Sequence, residues 1–177
     1  MASFTQRMIG AAKLDVHTYE EVEADRTATG QAMGVVVLSS IASGIGAVAY
    51  GAGPGLVVVG TIGALIGWFL WAFVTYLVGT KILPEPQTRS DVGELLRTIG
   101  FSASPGVLLV LGIIPVLGVL VSLVVSIWML AAFVVAVRQA LDYHSTGRAV
   151  AVCAIGWLFF VALSVVLRMF VGGGGPS

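Results

Sequence analysis

From Val107 to Val137 the chain runs for 31 residues without a charged side chain. As one helix, rising 1.5 Å per residue, this stretch would be about 46 Å long, whereas about 20 residues cross roughly 30 Å of hydrocarbon. Pro115 lies within it, lacking a backbone donor and crowding the turn before it. The stretch therefore reads as two crossings: a short one ending near Ile114, a turn at Pro115 to Gly118, and another from Val119 to Arg138.

The rest of the chain divides in the same way. Apolar runs at about 33–50, 56–79 and 149–171 join those at 101–114 and 119–138, giving five spans within residues 33–171. Gly51, Gly53, Pro54 and Gly55 make a tight turn between the first two. The third span is short for a crossing, so its helix is expected to begin earlier, around Leu95 to Phe101, and to tilt or thin the bilayer. Composition agrees: 58% of residues are hydrophobic and 10% charged, against about a quarter charged in soluble domains. The expected fold class is all-α, a polytopic transmembrane bundle of five spans. A helical segment over 1–32 precedes it and a flexible tail over 172–177 follows.

Charge fixes the expected orientation. With five spans and the N-terminus inside, Arg7, Lys13, Arg26, Lys81, Arg89, Arg97, Arg138 and Arg148 share the cytoplasmic side, eight of the nine basic residues. Arg168 falls outside, near a helix end where it snorkels. Four spans would flip Arg138 and Arg148 outward and weaken the bias. The first thirty residues lack the apolar core of a secretory signal, so the first span is expected to serve as both insertion signal and anchor.

Polar features gather on this face. Phe4, Met8, Ala12 and Val16 fall on one helical side, which suits either a helix lying in the membrane interface or one packed on the bundle's own end. Thr18 and Glu21 have capping-box spacing. Tyr19, Glu20, Glu21, Glu23 and Asp25 then form the densest acidic cluster, which reads as a docking surface for a basic partner, a weak cation site, or a solvated face neutralised by Arg89, Arg97, Arg138 or Arg148. The neutralised face is favoured, because charge runs are usually solvated faces and an anionic leaflet would repel unneutralised acids. In the central loop Ser90 is the expected cap of a helix carrying Asp91, Glu94 and Arg97, broken at Ser104-Pro105-Gly106. Asp142 follows the fourth span, and Tyr19, Glu20, Glu21, Glu23, Asp25, Arg89, Asp91, Glu94, Arg97, Arg138 and Asp142 are expected to form a charge network that orders the cytoplasmic cap or docks a partner. Gly63-x-x-x-Gly67 and Ala132-x-x-x-Ala136 are spaced for close helix packing within the bundle, with dimerisation as the alternative.

Catalytic chemistry is not legible. The spans hold almost no ionisable group, which weighs against a proton relay. Ser39, Ser40, Ser43, Ser122 and Ser126 have no histidine or lysine in the membrane to act as base. His17 and His144 lack partners for a metal, and no phosphate loop or hydrolase motif occurs. The chain is expected to be no enzyme and to need no cofactor, with membrane lipids and other membrane proteins, or itself, as partners and no nucleic acid. Zero net charge agrees with the last point.

Several segments carry a resemblance. Tyr19-Glu20-Glu21-Val22-Glu23-Ala24-Asp25 is followed by Ala28-Thr29-Gly30-Gln31-Ala32. Ile99-Gly100-Phe101-Ser102-Ala103-Ser104-Pro105-Gly106, Pro115, Trp128, the run from Ala136 to Tyr143, and Gly156-Trp157 complete the set. Together these resemble a bacterial member of the Yip1 domain family. The resemblance implies a five-helix membrane domain with a cytoplasmic N-terminus, in a family with no catalytic residues. Eukaryotic members act in vesicle trafficking and associate with prenylated small GTPases, and many carry a long N-terminal cytosolic region that this chain is not expected to share. The expected role is a non-enzymatic adaptor or accessory subunit in a bacterial inner membrane. The alternative is a small transporter or channel for a neutral solute or lipid, which needs polar side chains gathered along one path.

Overall fold

The computed structural model describes residues 2–172, without the side chains of residues 115, 164 and 166–172. The described helices are α1 (Phe4–Ala12), α2 (Val16–Ala24), α3 (Ala28–Val48), α4 (Pro54–Leu77), α5 (Val92–Ser102), α6 (Pro115–Ala140) and α7 (Thr146–Gly172). A π-helical turn, Val78–Ile82, continues α4, and a 3-10 segment, Ser104–Ile113, continues α5. Five stretches are long and apolar enough to cross a membrane: Ala28–Val48, Pro54–Ile82, Val92–Ile113, Val116–Ala140 and Thr146–Leu163. The protein is an all-α polytopic bundle. The tail beyond Gly172 and the Arg168 side chain lie outside the described residues.

The third span departs from the sequence reading in a way that removes its length problem. It starts at Val92, just ahead of the expected Leu95 to Phe101, and Ser104-Pro105-Gly106 tightens the helix into 3-10 form instead of breaking it. Eleven α-helical residues rise about 16 Å and ten 3-10 residues about 20 Å, enough together for a crossing. Nor is there a four-residue turn after it. Ile114 alone is extended, with φ −88° and ψ 107°, and Pro115 opens α6 at once. Proline suits that first position, where its missing N–H would have no partner anyway.

This span is the hub. Over half of it, 56%, is buried, against 11% of the span containing α4 and 17% of the one containing α6, so it packs centrally while those two turn outward. Exposed Leu56, Ile62, Leu120 and Ile127 show the outward faces to be apolar, as lipid contact requires.

Close approach is made by glycines other than the predicted pair. A Cβ on Gly46 would fall on the Leu109 carbonyl, and one on Gly100 would stand 2.7 Å from Ala32 Cβ. By contrast, a Cβ on Gly63 or Gly67 would meet nothing within 4 Å, so neither packs inside the bundle. Ala132 and Ala136 are fully buried, and Ala136 joins a core with Tyr19, Ala32 and Phe101.

The N-terminal segment forms two helices rather than one. Leu14 adopts a left-handed φ of 62° between them. Phe4 meets Phe101 edge-on at 6.5 Å and Met8 packs beside the same core, so α1 sits on the bundle's end, while Val16 is exposed. Asp15, not Thr18, caps α2, and the Thr18 hydroxyl donates to Asp15 at 2.7 Å. Asp91, not Ser90, caps α5, in a capping box with Glu94. Both correct the sequence expectation for one reason: aspartate at N-cap brings a charged acceptor to the helix's free N–H groups.

Candidate functional site

The polar end of the bundle, capped by α1 and α2, holds three separate nodes rather than one charge network. The first is built on Arg7, 2% exposed. Its guanidinium donates to Glu21 Oε1 at 2.9 Å, to Asp25 Oδ2 at 2.7 Å and to Gln31 Oε1 at 3.1 Å. Glu21 also accepts from the Ala2 N–H at 3.0 Å. Burial opposes the Arg7 cation, but the two carboxylates outweigh it and raise its pKa. Hydrogen bonds from Arg7 hold Glu21 below the usual carboxylate range. The Thr27 hydroxyl, then Arg7, brings Asp25 down to about 2. Arg7 was absent from the residues singled out in sequence. A heptapeptide with four acids beside a helix carrying one inward arginine was the signal for it.

The second node is Arg97, 5% exposed on α5. It takes no carboxylate. Its Nε donates to the Val22 carbonyl at 3.1 Å and the Glu23 carbonyl at 2.9 Å, and its terminal nitrogen bonds the Glu23 carbonyl as well. These belong to the last turn of α2, whose carbonyls have no partner within the helix. Arg97 therefore caps α2 from another element, a place where a cation also meets the negative end of the helix dipole. The Glu23 carboxyl lies in this half-buried region. Burial first, then Glu94, Asp142 and Glu20, push its pKa to about 7 against the pull of Arg97.

The third node ties the central loop to the last one. Arg148 Nε lies 3.3 Å from Glu85 and its terminal nitrogen donates to the Pro84 carbonyl at 3.0 Å. The Tyr143 hydroxyl reaches the carbonyls of Gly79 at 2.9 Å and Leu83 at 2.7 Å. Arg138 donates to the Tyr143 carbonyl at 3.1 Å.

The expected site residues are thus divided. Tyr19 is fully buried, its hydroxyl donating to the Ala11 carbonyl at 3.1 Å, so it pins α1 to α2 and offers no surface. Arg89 is exposed and forms no ion pair among the described residues. Asp142 is exposed at φ 54°, and its backbone carbonyl accepts from Gln87 at 3.0 Å. Asp91 and Glu94 are held by their capping box. Arg89, Arg97 and Arg138 therefore do not pair with the α2 acids as expected. Arg7 does.

This capped five-span layout fits the comparison with known families, in which the family model described as Yip1 domain matches residues 16–167. The chain is a member of the Yip1 domain family. No curated protein and no solved structure matches it. The Yip1 domain match opens at Val16, the first residue of α2, so α1 and Arg7 stand before it. Arg7 thereby fastens a flanking helix to the acidic segment of the domain. Trp128 adds a second tie from inside the domain, its indole N–H donating to the Ala12 carbonyl at 2.6 Å.

Away from the cap, the Yip1 domain encloses a groove of about 940 Å³ walled by α3, α4 and α6, with the third span behind it. Ser39, Ser40, Ser43 and Ser102 line it. Sequence alone did not put these serines on one face, because the register between spans is a matter of packing.

Proposed function

We propose that this protein is a non-enzymatic adaptor of a bacterial inner membrane, with its five-span Yip1 domain anchored N-terminus inside and its capped end in the cytoplasm, where it binds another protein. One observation carries the proposal. After Arg7 and Arg148 take up Glu21, Asp25 and Glu85, the carboxylates of Glu20, Glu23, Glu94 and Asp142 are left on one side of the cap without an ion pair among the described residues. They come from α2, α5 and the loop before α7, and Glu94, Asp142 and Glu20 all act on Glu23.

A surface assembled from three elements is a better recognition site than a run in one loop, because the fold fixes its geometry. The anionic leaflet would repel it, which keeps it facing a protein partner. The chemistry that matches is a basic segment, and charge complementarity of this kind speeds and selects association. The concentration of lysine and arginine at the same end supports the orientation.

The test is a mild-detergent pull-down through a C-terminal tag, comparing the native chain with Glu20→Arg/Asp142→Asn. Both side chains are exposed and asparagine tolerates the left-handed φ at 142, so the pair should leave the melting temperature nearly unchanged. A stoichiometric protein lost from the variant is the expected result. Equal recovery from both would end the docking proposal.

A further inference from the structure

The hairpin of α1 and α2 reaches further down the bundle than a cap needs to. Its two helices lie tightly together, since a Cβ on Gly10 would run into the Thr18 side chain. At its closed end the Ala12 carbonyl accepts from the Trp128 indole, and α1 also touches the 3-10 segment of the third span. Trp128 stands twelve residues before the end of α6, about 18 Å along that helix. The exposure of α6 changes at the same level. Ile127 and Leu130 are 62% and 59% exposed, whereas no residue from Ala131 to Ala140 is exposed. The lipid-facing stretch of α6 therefore ends beside the closed end of the hairpin.

That closed end is built unlike a turn in water. α1 finishes with the Asp15 N–H on the Gly10 carbonyl and the Leu14 N–H on the Ala11 carbonyl, both at 3.0 Å. This pattern holds the residue between Lys13 and Asp15 in the left-handed region, where glycine is the usual occupant. Here it is a half-buried leucine at φ 62°. Its Cβ crowds the following carbonyl, so the side chain is kept at a cost. Ile9 and Val16 flank it, 51% and 40% exposed. Lys13 is exposed beside them and has no ion pair among the described residues. The Asp15 carboxylate is already taken by the Thr18 hydroxyl at 2.7 Å and the His17 N–H at 3.3 Å.

We propose that this closed end is a lipid-binding wedge: Ile9, Leu14 and Val16 enter the acyl edge of the leaflet on the capped side, and Lys13 pairs with a lipid phosphate. Continuity selects lipid over a protein partner. The exposed apolar side chains of α6 already face lipid, and they stop at the level where those of the hairpin take over. A lysine beside apolar side chains is the pattern of an interfacial segment, its stem along the acyl edge and its ammonium at the headgroups. The sign of its charge suits an anionic leaflet. The acidic surface lies at the other end of α2, where Glu23 faces Glu94 and Asp142. α2 thus runs from lipid at Val16 to that surface at Glu23, and the wedge fixes how the surface stands above the membrane.

The experiment uses the full chain with Cys153→Ala, the free cysteine removed, in nanodiscs of phosphatidylcholine and phosphatidylglycerol. A nitrobenzoxadiazole label on Val16→Cys should emit further to the blue than in water and be quenched by a nitroxide at carbon 5 of an acyl chain. The same label on Arg89→Cys, an exposed loop position, should be quenched by aqueous iodide instead. Ile9→Cys, also exposed, replaces Val16→Cys if that labelled chain folds poorly. Leu14→Gly should keep the melting temperature, since glycine suits the turn, and weaken the nitroxide quenching. In native mass spectra, Lys13→Gln should lower the preference for phosphatidylglycerol over phosphatidylcholine roughly fivefold, the worth of one lysine near a charged surface. A Val16 label that iodide reaches as freely as the Arg89 label overturns the proposal. So does a label that neither quencher reaches, which means that protein covers the hairpin, and so does a lipid preference unchanged in Lys13→Gln.

Discussion

Arg7 and Arg97 grip the same short helix in different ways. Both are almost wholly buried. Arg7 reaches α2 through side chains and neutralises Glu21 and Asp25. Arg97 reaches it through backbone, filling the carbonyls at its C-terminal turn and leaving Glu23 without an ion pair among the described residues. The difference teaches what a buried arginine does in each place. Where carboxylates lie at the edge of solvent, it builds an ion-pair node. Where a helix ends against another element, its planar fork of donors serves as a cap. The first use depends on acids being ionised and the second does not.

Removing each cation should separate the two. Arg97→Met leaves the Val22 and Glu23 carbonyls without this donor and removes the cation that opposes Glu94, Asp142 and Glu20 at the Glu23 carboxyl. The expected loss is about 3 kcal/mol, the cost of breaking a buried charged contact from one side. Arg97→Lys should recover only part, since one ammonium does not span two carbonyls. Arg7→Met should cost less, on the order of 1 kcal/mol, because Glu21 is 27% exposed and Asp25 14%, and water takes them up. Thermal melts of both variants in one detergent check the order. An Arg7 variant less stable than the Arg97 variant would falsify the distinction.

The pH dependence of the two nodes should run in opposite directions. Glu21 and Asp25 have depressed folded-state values, so their contribution is present above the unfolded value and is lost as pH falls, for Asp25 from its ordinary 3.8 through about 2. Glu23 is raised, from its ordinary 4.5 to about 7. The folded state then binds more protons than the unfolded one between those values, so stability falls as pH climbs from 4.5 to about 7. Allowing for solvent screening at a half-buried group, the effect is on the order of 1 kcal/mol. Glu23→Gln should flatten that slope and stabilise the protein above pH 7. Denaturation midpoints at pH 5 and pH 8 read it out. A variant keeping the native slope would place the titrating group elsewhere.

What the sequence made legible follows from the range of the physics involved. The apolar runs, the all-α class and the placement of the polar residues at one end need only local hydropathy, and the family resemblance spans α2 to α7. The acids at 20–25 were visible as a cluster, but their partner was not. Arg7, Arg89, Arg97, Arg138 and Arg148 are equal candidates by composition, and only the fold of α1 over α2 selects Arg7. Arg97 was expected to meet side chains and meets carbonyls, because the orphan groups at a helix end are invisible until the end is located. The 3-10 form of Ser104–Ile113 was missed for a related reason. Proline and glycine there signal departure from α-helix, but the tighter helix is chosen by close contact with α3 at Gly46 and Gly112.

The small-residue motifs extend the same lesson and give the smallest effect. Spacing alone points to Gly63 and Gly67 as packing positions, yet close packing falls at other glycines, Gly46 and Gly100 among them. Gly63→Ala adds a methyl group to open space in mid-helix and should stabilise by about 0.5–1 kcal/mol through helix propensity. Gly100→Ala adds the same methyl 2.7 Å from Ala32 Cβ, where α5 and α3 meet, and should destabilise. Melting temperature and light-scattering mass, measured together, distinguish the outcomes. A higher melting point at unchanged mass for Gly63→Ala agrees with a face open to lipid. A fall in mass would instead show that Gly63 packs against a second copy of the chain, returning the motif to the dimerisation role that its spacing allows.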